Sequence, residues 1–314
     1  MMLLWAFLIL VLFLLSLMIG FTAYSAHKVE QLMPAQGSFV DLGHTRLHIV
    51  DQGQGPAILM VHGLAGNLRQ FTYGVSEPLT AHYRVICVDR PGSGYSSRSP
   101  SAPVSLQAQA DTLSALLIHL NIQEALVVGH SLGGAVALSM AQRHPSQVKG
   151  LALIAPLTKL PAMASPAFKV LNIPVEGLRH LLAWTLATPL GLSRINATLS
   201  LIFGPEKAPR EFATRGGGLM ALRPSHFVGA STDLAAGKSS MSEIEAGYAA
   251  MKLPVHVLFA REDRILNCQE NGQALVERLP GTQLTLLTGG HMLPITQIET
   301  TTAFIEDMAR QVFA

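Results

Sequence analysis

Charge is scarce in this chain and cysteine scarcer. Only 13% of the 314 residues are charged, and the formal net charge is +2. No basic run occurs and no aromatic residues interleave with Lys or Arg, so nucleic acid has no electrostatic footprint here. The two cysteines have no reason to pair. Cys87 lies inside the apolar run RVICV, as a buried free thiol would, and Cys268 falls in a helical stretch. A disulfide framework is therefore not expected, and the chain does not announce an oxidising compartment. Internal repeats, low-complexity tracts and a phosphate-cradling loop are also missing. His62 has no partner at ligand spacing, so it reads as structural and no metal site or cofactor is expected.

The first stretch, MMLLWAFLILVLFLLSLMIGFTAY, has no charged side chain at all. At ~1.5 Å per residue a helix of this length crosses a hydrocarbon core. A cleaved signal peptide would want a positive flank and an apolar run of about 7–15 residues. The run here is longer and no Lys or Arg precedes it, although Ala23 and Ser25 are spaced for cleavage before Ala26. The expectation is a single-pass membrane anchor over residues 1–24 and a linker over 25–37, with export after signal cleavage as the alternative. The Lys/Arg balance at its flanks is too even to fix which side the remainder faces.

From Ser38 the pattern changes. SFVDLG and TRLHIVDQG read as two antiparallel strands. AILMVHG, YRVICVD, ALVVGH and VKGLALIAP read as strands apolar on both faces, with helical stretches between them. That rhythm indicates an α/β fold with a mostly parallel sheet. It stops after Pro156, where Pro- and Gly-punctuated amphipathic helices begin, EGLRHLLAWTLATPLG being the clearest. It resumes with PVHVLFARED and TQLTLLTGGH. The expected organisation is a core over 38–156 and 251–314, interrupted by a helical lid over 157–250 that covers the carboxyl ends of the strands.

One corner carries chemistry. In ALVVGHSLGGAVALSM a buried strand passes through Ser131 directly into a helix. Gly129 and Gly133 let strand and helix approach, and the hydroxyl is held at the top of a sharp turn beside the first amides of the helix. A serine nucleophile needs a base and an acid to orient it. His291 follows the strand QLTLL, and Asp263 follows VHVLF, giving the chain order Ser, Asp, His expected of such an elbow. Glu262 is the neighbouring alternative acid. Asp89 is another, better read as a brace for the RPGSG loop. Two backbone amides should hold the oxyanion, one from Leu132 and one from the Gly63–Leu64 turn. His44 and His48 read as solvated residues of an edge strand.

Taken together, HGLAGN, DRPGSGYS, GHSLGG, LFARED and GGHMLP resemble the α/β-hydrolase superfamily across Ser38 to Ala314. The resemblance implies the fold, a Ser131–Asp263–His291 triad, an oxyanion hole from the Leu64 and Leu132 amides, and a helical lid. Within the superfamily the chain looks most like lid-bearing bacterial esterases and lipases, and the related C–C bond hydrolases. It departs from epoxide hydrolases and haloalkane dehalogenases, which place aspartate where Ser131 stands. It also carries Asn267 in place of the proline common four residues after the family acid. The implied activity is hydrolysis of carboxylic esters, without a cofactor, by an enzyme of the bacterial inner membrane, and Leu, Met, Phe and Trp184 on the lid helices suggest an apolar acyl or alcohol group. The same triad serves C–C hydrolases, thioesterases, amidases and perhydrolases, and a non-catalytic binding member of the fold is a further alternative.

Overall fold

The computed structural model describes residues 1–160 and 165–314, so residues 161–164 of the expected lid lie outside the described residues. The chain opens with a single helix, α1 (Met2–Leu32). It runs past Tyr24 through most of the segment read as a linker, because no Gly or Pro interrupts HKVEQL and Pro34 is the first residue to forbid continuation. Its end is also held. Val29 and Met33 are buried against Met220, and Glu30 pairs with Arg223 at 2.9 Å.

Nine strands form one sheet: β1 (Ser38–Asp41), β2 (Thr45–Gln52), β3 (Ala57–Val61), β4 (Arg84–Val88), the two-residue β5 (Ser97–Arg98), β6 (Ala125–His130), β7 (Val148–Ile154), β8 (Val255–Ala260) and β9 (Gln283–Leu287). Their order is β1-β2-β4-β3-β6-β7-β8-β9, with β5 beside β2. The pairs β1–β2 and β2–β4 are antiparallel, and everything from β4 onward along that order is parallel. β3 and β6 are buried at every position, as apolar strands covered on both faces must be.

The core helices are α2 (Arg69–Thr72), α3 (Ser76–Leu79), α4 (Leu106–His119) and α5 (Leu132–Arg143). Ser105 caps α4 by accepting from the Ala108 amide, and α5 stops before Pro145. Between β7 and β8 comes a helical insert with α6 (Glu176–Trp184), α7 (Ala187–Ser193), α8 (Ile195–Phe203) and the long α9 (Pro224–Ala246), plus 3₁₀ turns including Gly218–Leu222. The stretch read as one amphipathic helix is thus two, α6 and α7, parted at Thr185–Leu186. After β8 follow α10 (Ala274–Arg278), α11 (Leu293–Thr296) and α12 (Ile298–Phe313).

One strand-level expectation fails. His48 is 3% exposed, not solvated. β1 is the edge and β2 is covered by it, so His48 faces inward, where its Nδ1 donates to Asp89 Oδ2 at 2.7 Å. His44 is exposed as expected.

Candidate active site

The corner between β6 and α5 is as sharp as its glycines suggest. Ser131 has φ +54° and ψ −120°, a conformation costly for any residue with a Cβ. Two contacts hold it there: Ser131 N donates to Ile154 O at 3.0 Å, and Leu157 N donates to Ser131 O at 2.9 Å. A Cβ on Gly133 would lie 2.2 Å from Val61 O, and one on Gly63 would lie 2.9 Å from the Ser131 Cβ. Only glycine lets α5 and the loop after β3 come this close. Leu132 opens α5, so its N–H has no acceptor within the helix.

His291 and Asp263 come together from the ends of β9 and β8. His291 Nδ1 donates to Asp263 Oδ2 at 2.7 Å, with 4% and 0% of the two side chains exposed. The other carboxylate oxygen, Oδ1, accepts from the amides of Ile265 and Leu266 at 2.7 and 3.0 Å. Asp263 is therefore fully occupied in orienting the ring, and Nε2 is the ring atom left for another group. Asn267 caps the turn that follows, its Oδ1 accepting from Gln269 N and Glu270 N. The missing proline thus leaves Asp263 in place. Glu262 accepts from the Gly289 amide at 2.6 Å, and Glu206 of the insert accepts from the Gly290 amide at 2.7 Å. Two carboxylates from separate elements thus pin the loop that carries His291. Asp89 receives His48 and the amides of Leu68 and Tyr95, so it braces its loop.

His130 links the serine corner to the histidine loop. Its Nε2 donates to His291 O at 3.0 Å and its ring lies 4.9 Å from the His291 ring. Burial first, and the nearby His291 second, push its pKa down to about 3, so it stays neutral and donates through one nitrogen. His62 is structural: its Nε2 accepts from Arg90 N, and its Nδ1 donates to Gly63 O. Burial and then Arg90 hold its pKa well below the ordinary value.

Arg90 is a site residue absent from the sequence expectations. Wholly buried, it donates to the carbonyls of His62 and Gly63, to Gln109, and to Asp233 of α9 at 2.6 Å. Arg98 stands 3.6 Å from the other Asp233 oxygen. One guanidinium therefore fixes the loop bearing Gly63 and Leu64 and ties α9 to it. A basic residue two positions before the GSG of that loop was the available signal, but its acidic partner lies 143 residues away.

Ser131 and both expected oxyanion residues, Leu64 and Leu132, line one cavity of about 530 Å³, within the ~300–1,000 Å³ common for small-molecule sites. Leu157, Leu160, Phe168, Leu234, Ile265 and Leu266 make its walls apolar, and Ser165, Asn172 and Lys238 add polar groups. Lys238 donates to Asn172 Oδ1 at 2.7 Å. Trp184, one of the insert residues that suggested an apolar substrate group, does not line the cavity and is 43% exposed.

Known proteins share this plan. An uncharacterized protein of Mycobacterium tuberculosis is 29% identical over 260 residues, 77% of this chain and 71% of its own. The enol-lactonase of Burkholderia xenovorans LB400 superposes with a TM-score of 0.72 at 20% identity, over 87% of this chain and all of its own. A bacterial membrane phospholipase A superposes with a TM-score of 0.71 at 21% identity, over 98% of both chains, so the match takes in α1. A family model for the alpha/beta hydrolase fold matches residues 56–297. With the parallel sheet, the strained serine corner and strand-end histidine already in place, the chain belongs to the alpha/beta hydrolase family.

Proposed function

We propose that this hydrolase is a membrane-anchored serine esterase for substrates with apolar acyl groups. The observation that carries the reading is Ser131, held at positive φ at the mouth of α5 in an apolar cavity, on the corner that His130 ties to the loop of a histidine locked to a buried aspartate. Ser131 Oγ attacks the acyl carbon, and His291 Nε2 takes its proton. Asp263 keeps the ring in the tautomer with its proton on Nδ1 and stabilises the imidazolium that forms. The Leu64 and Leu132 amides receive the developing oxyanion. The alcohol leaves with the proton from His291, and water, deprotonated by the same ring, releases the acid. The insert serves as the lid over this site, since it supplies Leu157, Leu160, Phe168 and Leu234 to the walls. The enol-lactonase and phospholipase likenesses agree with an ester bond, a lactone being a cyclic ester. α1, uncharged through Tyr24 and with a mean hydropathy of 3.0 over its most apolar window and no burial there, is the anchor.

The test is covalent labelling and hydrolysis by the full chain. A fluorophosphonate should label Ser131, and Ser131→Ala should lose the label together with ~10⁴–10⁶ in kcat on p-nitrophenyl esters. Rates should rise with acyl length before the cavity fills. Labelling that persists in the alanine variant, or hydrolysis confined to thioesters, amides or C–C bonds, rejects the reading.

A further inference from the structure

The large apolar side chains left in the open are not spread over the surface. Outside α1, the exposed ones are Phe39, Val104, Ile118 and a dense group between Val170 and Ile195. Val175, Leu178, Leu181 and Trp184 recur every three residues along α6, and Leu186 and Leu190 continue the face onto α7. Between His180 and Glu206 the only charged residue is Arg194. A soluble surface rarely carries so continuous an apolar face without an occupant.

The neighbour of this face identifies the occupant. α1 packs against α6, α7 and the turn Gly218–Leu222, and against no other helix to a comparable extent. The covered side of α1 is a stripe: Val11, Leu15 and Met18 are half-covered, and Thr22 and Val29 are buried. Thr22 lies inside the apolar run that ends at Tyr24, so α1 is covered within that run as well as below it, where Met220 and Arg223 meet Val29, Met33 and Glu30. The end of α1 is also fixed in direction. Arg223 pairs with Glu30 and donates to Gly94 O, and Tyr95 donates to Met33 O at 2.6 Å. A helix set in the bilayer and rigidly docked this way would carry α6 and α7 to the membrane surface.

We propose that the outward face of α6, α7 and the start of α8 is a second membrane contact. It lies in the boundary between headgroups and acyl chains, beside α1. This rests on the reading of α1 as a membrane anchor. Its consequence for the substrate is direct. The cavity residues Ser165, Phe168 and Asn172 lie on the segment that leads into α6, so docking this face sets that wall against the lipid. The favoured ester is then one drawn from the bilayer.

The chain has two tryptophans, Trp5 on α1 and Trp184 on this face, and they allow both readings to be tested apart. The full chain is reconstituted into phosphatidylcholine–phosphatidylglycerol vesicles whose acyl chains are brominated. Trp5→Phe leaves Trp184 as the reporter, and Trp184→Phe leaves Trp5. Both reporters should lose emission by about twofold or more, as interfacial side chains within reach of the acyl region do. Leu181→Glu with Leu190→Glu should lower hydrolysis of vesicle-borne esters severalfold and leave a soluble short-chain ester unaffected, since neither residue lines the cavity. If Trp5 is quenched while Trp184 keeps its emission and stays open to aqueous iodide, the docking is wrong and the anchor stands. If Trp184 is shielded from iodide but untouched by brominated lipid, a second copy of the chain covers the face and the proposal fails. If neither tryptophan senses the lipid, the anchor reading falls and the docking falls with it.

Discussion

Helices α5 and α8 are both built largely from apolar residues, and their fates are opposite. α5 buries every residue from Leu132 to Ala141 under the sheet. α8 buries Phe203 alone. The difference is one of partners. α5 lies between β6, α4 and α9 with glycines that admit close contact, whereas α6 to α8 have the sheet on neither side. Burial of apolar area, worth ~25 cal/mol per Å², stabilises the first arrangement and is forgone in the second. α9 belongs to the insert by chain order and to the core by contact. Asp233 meets Arg90, Ser240 receives the Leu106 amide, and a Cβ on Gly229 would lie 2.0 Å from Gly92 O. The insert is therefore two structures, a welded wall and a face turned outward.

Substitutions can break or sharpen this contrast. The largest effect belongs to the core site. Asp263→Asn should lower kcat by around 10⁴ with little change of fold, because His291 loses the carboxylate that sets its tautomer. Glu262→Gln should cost far less. Kinetics of both variants on one ester decide it, and a reversed order would name Glu262 as the orienting acid. Next comes the welded wall. Asp233→Ala leaves Arg90 buried and unpaired, a change of ~3–5 kcal/mol, and thermal unfolding of the full chain in detergent should fall by roughly 10 °C. A small shift would move α9 to the outward group.

The third effect is pH. His62, His130 and His226 are all held below the ordinary value of 6.5, in each case chiefly by burial. Below pH ~6.5 the unfolded chain binds protons that the folded chain refuses. Stability should therefore fall as pH drops below ~6.5, by up to ~1.4 kcal/mol per unit for each histidine still neutral, and for His130 that loss continues down to about 3. His226 sits on α9 and donates to Ala65 O. Unfolding temperatures between pH 7.5 and 5 should show a shallower slope in His226→Gln if α9 unfolds with the core. The smallest effect marks the other group. Leu190→Gln on α7 should shift stability in detergent by less than ~0.5 kcal/mol, measured in the same unfolding assay, and a core-sized loss would erase the contrast.

What could be read in the chain and what could not divide along the same line. The sheet, the Ser105 cap, the stop before Pro145 and the serine corner follow from local rules, and each was legible. So were the positions of Asp263 and His291, since each follows the end of an apolar strand. His48 misled because alternation along β2 does not say which strand lies outside it. Arg90 left only its place two residues before GSG and Asp233 left no mark, because a pair 143 residues apart has no period. The break between α6 and α7 was hidden because Thr185 and Leu186 carry no breaker signal. The length of α1 was hidden because the polar residues after Tyr24 suit a helix as well as a linker.

The guanidinium of Arg90 has a consequence for how specificity can drift. It grips the carbonyls of His62 and Gly63 on one side and α9 on the other, so the Gly63–Leu64 loop and the cavity wall of Leu234, Gly237 and Lys238 are tied together. Mutations that reshape that wall disturb turnover and binding at once, and kcat and KM shift together. Leu157, on another part of the wall, is tied instead to the Ser131 carbonyl through its own amide. Both of these parts of the wall are therefore coupled to the serine corner or the loop beside it, and neither is free to drift alone.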